Sequence, residues 1–362
     1  MSETLLYKPD WPETKRRWAA FWAGERLDRP CMMVTAPREG PPLPPFPEDP
    51  ERRWTDLDFL IEYDEAYHAS RWYLGETVPR AGNLLMSWCA AYGARAEFRP
   101  DTIWIEPCFN SWEETPDFEK DWDNEGWRRL KRSLKVILEH ARGRYFVGMP
   151  PMLPPNDVLP NLRGVNEFLM DLVEQADEIQ RVLKIMRANF IRMYDELEEL
   201  LDARSLGYGS WWTFWSPDRF YAPQSDISCM LSSEMFETFI VPELEELCSA
   251  WTNVFYHLDG PGALHHLDRL LQLDGIDGIQ WVPGSGRPHG WAAWRDLYVK
   301  ISEGGKRAWV PCGAAEVEEV IKAIPPERLL ISTGVAGKED GEELLKQAVK
   351  WTARHWPATR KA

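Results

Sequence analysis

The sequence predicts an α/β fold: a TIM-type (β/α)8 barrel with an N-terminal helical extension. Three observations lead there. From residue 253 onward, strand-like runs at 253–257, 276–282, 307–312 and 329–333 alternate with helical patterns at 262–271, 290–303, 314–323 and 339–353. Such alternation means βαβ units and a parallel sheet. Along the whole chain about seven or eight such strands can be counted, which suits a closed barrel better than an open sheet. The 362 residues hold no internal repeat and no Gly/Ser linker, and a single barrel of that size is ordinary. Residues 1–50 therefore read as a helical extension and loop, and residues 51–362 as the barrel.

Taken in order, residues 11–24 form an amphipathic helix with Trp18, Phe21 and Trp22 inward and Lys15 and Arg16 outward. Residues 29–37 make a short strand, 38–50 a proline-rich loop, and 56–72 a helix. A strand is expected at 102–109, a helix at 127–140 and a strand at 145–149, followed by the proline-stiffened MPPMLPPND loop. Residues 161–201 are helical with a break near 174–176, and 205–208 is a weak strand. The loop GSWWTFWSPDRFYAPQSD precedes a helix at 232–251, capped by Ser232 or Ser233.

Composition narrows the function. Forty-two Lys+Arg against 58 Asp+Glu give a net charge of −16, which argues against nucleic acid and against anionic membrane surfaces. No apolar run reaches the roughly 20 residues of a membrane span. The N-terminus has no apolar core of a signal peptide, and the six cysteines show no CxxC and no repeated spacing. Reduced thiols and a cytoplasmic location are expected. No Walker or dinucleotide-type glycine fingerprint is present, which speaks against ATP and NAD chemistry.

The chemistry is expected where residues 253–284 place polar groups beyond strand ends. His257 and Asp259 lie two apart at one strand tip, before Gly260, Pro261 and Gly262. If the strand runs through both, they face the same way and can act as a base with its partner or as two ligands of a divalent ion. The alternative is that Asp259 caps the next helix while His257 bonds a carbonyl. Cys312 ends another strand and can offer a sulfur to that ion, or be a buried thiol. Trp211, Trp212, Phe214, Trp215, Phe220 and Tyr221 crowd one loop. They read as a cation–π cage for a methylated amine, as a landing surface for a flat ligand or corrinoid carrier, or as a small core beneath the loop. Tyr256, Trp281 and Asn156 complete the substrate-binding candidates, and His289 reads as a solvated loop histidine.

The segments SDISCMLSSEMFETFIVPELEEL, YHLDGPG, DGIDGIQW, RAWVPCGAAEVEEVI and LLISTGVAGKEDGEELLKQAV, with LRGVNEFLMDLVEQADEIQRVL before them, resemble the uroporphyrinogen decarboxylase superfamily of TIM barrels. In pattern they are nearest its zinc-dependent corrinoid:thiol methyltransferases. The resemblance implies a methyltransferase using zinc or another divalent metal and a corrinoid on a partner protein. It implies His257 as a metal ligand and puts Asp226 near the site, with His257, Asp259 and Asp226 as catalytic candidates. Two departures stand in the sequence. The family's Met-Arg-Gln-Ala-Gly-Arg motif for porphyrinogen carboxylates is absent, so uroporphyrinogen is not the expected substrate. Asp259 occupies the place of the first zinc-binding cysteine, and Thr333, Gly334 and Val335 carry no cysteine where a Gly-Cys-Gly loop supplies the second. A decarboxylase acting on a small acid, or a barrel that only binds its ligand, are the alternative readings.

Overall fold

The computed structural model describes residues 4–82, 92–120 and 122–357. Cys89 lies outside these residues; Cys31, Cys108, Cys229, Cys248 and Cys312 are free thiols. Seven strands form the main sheet: β1 (Cys31–Pro37), β2 (Arg71–Gly75), β5 (Phe220–Tyr221), β6 (Asn253–Asp259), β7 (Gly278–Val282), β8 (Arg307–Pro311) and β9 (Leu329–Gly334). Their spatial order is β2-β1-β9-β8-β7-β6-β5, and only the β1–β2 pair is antiparallel. The C-terminal half follows the expected alternation almost residue for residue. Its strands are rich in buried apolar residues, as strands covered on both faces are: Leu329, Leu330 and Ile331 have no exposed surface.

The remaining gap between the two edges of the sheet is crossed by short irregular pieces. Glu76 N–H donates to Met32 O at 2.8 Å, Phe146 N–H to Pro79 O at 2.8 Å, and Met149 N–H to Gly209 O at 3.0 Å. Tyr208 bridges Ser216. The arrangement is barrel-like, but among the described residues no closed ring of eight regular strands exists. Pro79, Pro150 and Pro151 lack the N–H that a regular ladder needs. The chains come very close here: a Cβ on Gly148 would meet the Gly209 carbonyl carbon at 2.9 Å.

Three further expectations are corrected. The strand at 102–109 shrinks to β4 (Ile103–Ile105), which pairs only with β3 (Ala96–Phe98) in a separate two-stranded sheet. The strand at 145–149 is reduced to the bridge at Phe146. The boundary at residue 50 falls inside the fold, because β1 precedes it and lies within the main sheet. The helix expected at 232–251 does begin at Ser232, whose Oγ accepts the Met235 N–H at 3.2 Å. Its middle widens into a π turn at Phe236–Ile240, just before Pro242, which cannot donate the next helical hydrogen bond. No described helix is long and apolar enough to cross a membrane.

The N-terminal helix Trp11–Trp22 is tied to the sheet by a buried ion network. Glu76 takes a two-pronged contact from Arg29 (2.7 and 2.8 Å), one from Arg17 at 2.8 Å and the Met32 N–H at 2.7 Å. Burial works to raise the Glu76 pKa, yet Arg29 and Arg17 overcome it and the net shift is downward. Trp18 Nε1 donates to the Glu76 carbonyl at 2.8 Å. Removing one partner of such a network strands the others. Glu76→Gln should lower unfolding stability by about 3–5 kcal/mol in a urea titration; a loss under about 1 kcal/mol would contradict this role.

Candidate functional site

β6 carries the site because its side chains alternate. Phe255, His257 and Asp259 share one face, while Tyr256 and Leu258 are buried on the other. β7 stands in register with His257 opposite Gln280 and Leu258 opposite Trp281. Gln280 is therefore beside His257, and its Oε1 accepts the His257 Nδ1–H. That bond leaves Nε2 as the free lone pair of the neutral ring. After Asp259 the chain turns at Gly260, whose φ of +75° favours glycine, and Gly260 N–H is fixed to Val282 O at 2.8 Å.

Asp226 joins these two from a separate loop. One ligand atom from each of Asp226, His257 and Asp259 lies within 4.8 Å of the others. Asp259 does not cap the following helix, and its buried Oδ1 has no hydrogen-bond partner among the described residues. Asp226 sits at the exposed rim. Loss of hydration raises its pKa, His257 pulls it down and Asp259 raises it again; the net shift is upward. Two carboxylates and one imidazole make a donor set for a divalent ion of hard or borderline character. Among the described residues no sulfur belongs to the cluster. Cys229 follows Asp226 in the same loop, and burial together with the Asp226 and Asp259 charges keeps it protonated.

The loop bearing Asp226 is held from below. Asp157 is buried, and its carboxylate accepts Gln224 Nε2–H at 3.0 Å and Asp226 N–H at 2.8 Å. Burial and then the charge of Asp226 raise the Asp157 pKa, while these hydrogen bonds oppose the rise. His265 and His266 donate to Leu231 O at 2.9 Å and Ser228 O at 3.0 Å. Both histidines thus reach back from the segment after β6 to pin the Asp226 loop. Gly262 permits the approach, since a Cβ there would meet Cys229 Cβ at 3.0 Å.

The other candidates fall elsewhere. Cys312 is not part of the cluster; it lines the large neighbouring cavity, and burial pushes its thiol pKa up to about 12. Tyr256 and Trp281 are buried on the faces of their strands away from His257. Asn156 turns its amide to the buried Glu243 carboxylate at 2.6 Å. The aromatic loop is not a cage over the site. Phe214 packs on Trp309 (4.9 Å) and Phe255 (5.4 Å), and Trp215 packs edge-on to Trp11 (6.1 Å) and donates to Leu206 O. These rings are buried and pack into the hydrophobic core. Trp211 is half-buried against Trp212, and Trp212 alone reaches the site, 6.1 Å from the His257 ring.

Trp212 also lies 5.5 Å from Trp309, which lines a cavity of about 840 Å³ together with Thr35, Tyr63, Arg71, Arg80 and Cys312. The cavity therefore adjoins the cluster without including it.

Asp157→Asn turns one acceptor toward N–H donors as a donor of its own. Hydrogen exchange of the Asp226 and Ile227 amides should then speed up by about tenfold or more; unchanged protection would contradict the anchoring role.

No protein-family model matches the chain, and no curated protein does. Among solved structures the chain is similar to a methyltransferase from Methanosarcina mazei, with a TM-score of 0.59 and 15% sequence identity, over 93% of this chain and 98% of that one. That likeness extends the barrel-like α/β fold over nearly the whole chain.

Proposed function

We propose that this protein is a methyltransferase of the uroporphyrinogen-decarboxylase-like superfamily, moving a methyl group between a corrinoid on a partner protein and a small-molecule substrate. The observation that carries the reading is the convergence of Asp226, His257 and Asp259 at the end of β6. The full-length likeness to a methyltransferase supports it. So do the sequence segments that resemble the superfamily. Asp226, His257 and Asp259 would hold zinc or another divalent ion. Such an ion supplies Lewis acidity that lowers the pKa of a bound hydroxyl, thiol or water.

The chain's own residues have separable tasks. Gln280 fixes the His257 tautomer so that Nε2 faces the cluster. Asp157, His265 and His266 hold Asp226 in place. Trp212 walls one side and limits water. In a methyl transfer, the nucleophile's electron pair forms the new bond to carbon, the donor's bonding pair stays with the donor, and the nucleophile's proton must go to a base. A carboxylate at the exposed rim, Asp226, is suited to take that proton and pass it to solvent.

One observation favours a second reading. The raised pKa of Asp226 suits a carboxyl that delivers a proton to carbon. In a decarboxylase, CO2 departs, its bonding pair remains on carbon, and that proton completes the product. A barrel that binds without turnover is the third reading.

Methyl-group transfer can be followed by the absorbance change of methylcobalamin with panels of thiol and amine acceptors. The wild type should turn over, and His257→Ala should fall by roughly 10²- to 10⁴-fold. Gln280→Leu should lose about 10- to 100-fold. Unchanged turnover in His257→Ala would sink the assignment of the site. Carbon dioxide release from small acids, with no methyl transfer, would favour the second reading.

A further inference from the structure

The large cavity beside the cluster is lined by three arginines, Arg53, Arg71 and Arg80, and by two acids, Asp64 and Glu316. Neither Arg71 nor Arg80 makes a direct ion pair among the described residues, although the charge of Asp64 acts on Arg80 across the cavity wall. The Nε atoms of both are buried and make no hydrogen bond there. Arg80 donates through Nη1 to Ala81 O at 2.7 Å, and the Arg71 guanidinium carbon lies over the Tyr67 ring, 3.8 Å from its centroid. Burial pulls the Arg80 pKa down to about 10, against the charge of Asp64. Asp64 itself is turned to the Gly82 N–H at 2.8 Å, and burial raises its pKa to about 6. Both guanidinium groups act on the same hydrogen-bonded pair, His68 and Tyr73, so they share one wall.

A guanidinium kept from water without a partner is costly. Folded proteins keep such groups where a ligand completes them, and the planar fork matches a carboxylate. The rest of the cavity is flat and apolar. Tyr63 stacks between Phe46 (5.5 Å) and Tyr67 (6.4 Å), with Trp309 among the residues lining the same cavity. The volume of about 840 Å³ suits a small organic molecule. A quaternary or methylated ammonium would meet three arginines against two acids here, which disfavours a cation cage in this cavity.

We propose that this cavity binds a flat, apolar carboxylate, held by Arg71 and Arg80 at its acid end and by Tyr63, Tyr67 and Trp309 along its body. The site is independent of the ion cluster and of methyl transfer.

Calorimetric titration with a chelator present throughout tests it. The probes are 2-naphthoate, the neutral 2-naphthamide, benzyltrimethylammonium, and inorganic phosphate as competitor. Naphthoate should bind about tenfold or more tightly than the amide, the ammonium should not bind, and phosphate should not displace naphthoate. Arg71→Gln and Arg80→Gln, made separately and checked by circular dichroism, should each weaken naphthoate about tenfold and leave the amide unchanged. The wild-type series stands even if a variant does not fold. Equal affinity for acid and amide, no binding of naphthoate, displacement by phosphate, or tightest binding of the ammonium would each overturn the proposal.

Discussion

The site depends on a buried carboxylate that never faces it. Asp157 accepts the backbone N–H of Asp226 and the side chain of Gln224, and so joins the start of the helix Pro155–Arg163 to the short 3-10 turn Asp226–Met230. The raised pKa of Asp157 marks the cost of keeping that charge away from water. Without it, Asp226 would be one acid on a mobile rim. With it, Asp226 meets His257 and Asp259 from a strand whose geometry is set by its neighbours. Three ligand atoms from two separate segments then converge.

The parallel sheet was legible because its strands carry the pattern that such strands must. Residues 253–259 and 329–334 carry buried apolar residues on both faces and alternate with amphipathic helices. His257 and Asp259 were legible for the same reason: a strand of period two puts residues two apart on one face. What lay beyond the sequence was cross-chain. Gln280 has no motif; it matters because register sets it beside His257. Tyr256 and Trp281 were placed by proximity in sequence, and the same register turns them to the other side. Asp157 sits after a run of prolines that reads as loop, yet the helix Pro155–Arg163 begins there and aims it at Gln224. The strands at 102–109 and 145–149 failed because prolines and close-packed glycines prevent regular pairing. The aromatic loop left its alternatives open: most of its rings are buried in the core while Trp212 reaches His257, and a count of aromatics cannot tell inside from rim.

Charge is distributed with the same logic. The chain carries an excess of 16 acids, yet arginines are gathered at two places with opposite treatment. Arg17 and Arg29 are neutralised by Glu76 and lock the N-terminal helix to β1. Arg71 and Arg80 line the large cavity without a direct ion pair among the described residues, although Asp64 and Glu316 line it too. The first pair is a structural clamp. The second has the character of a site awaiting an anion, next to a cluster with the character of a site awaiting a cation.

The central claim is that Asp226, His257 and Asp259 form one cation site. Diffraction from crystals grown with zinc, recorded on either side of the zinc absorption edge, tests it most directly. The account predicts one anomalous peak bounded by His257 Nε2 and the carboxylates of Asp226 and Asp259. A peak bound elsewhere, or none in crystals whose other zinc contacts are saturated, would contradict it.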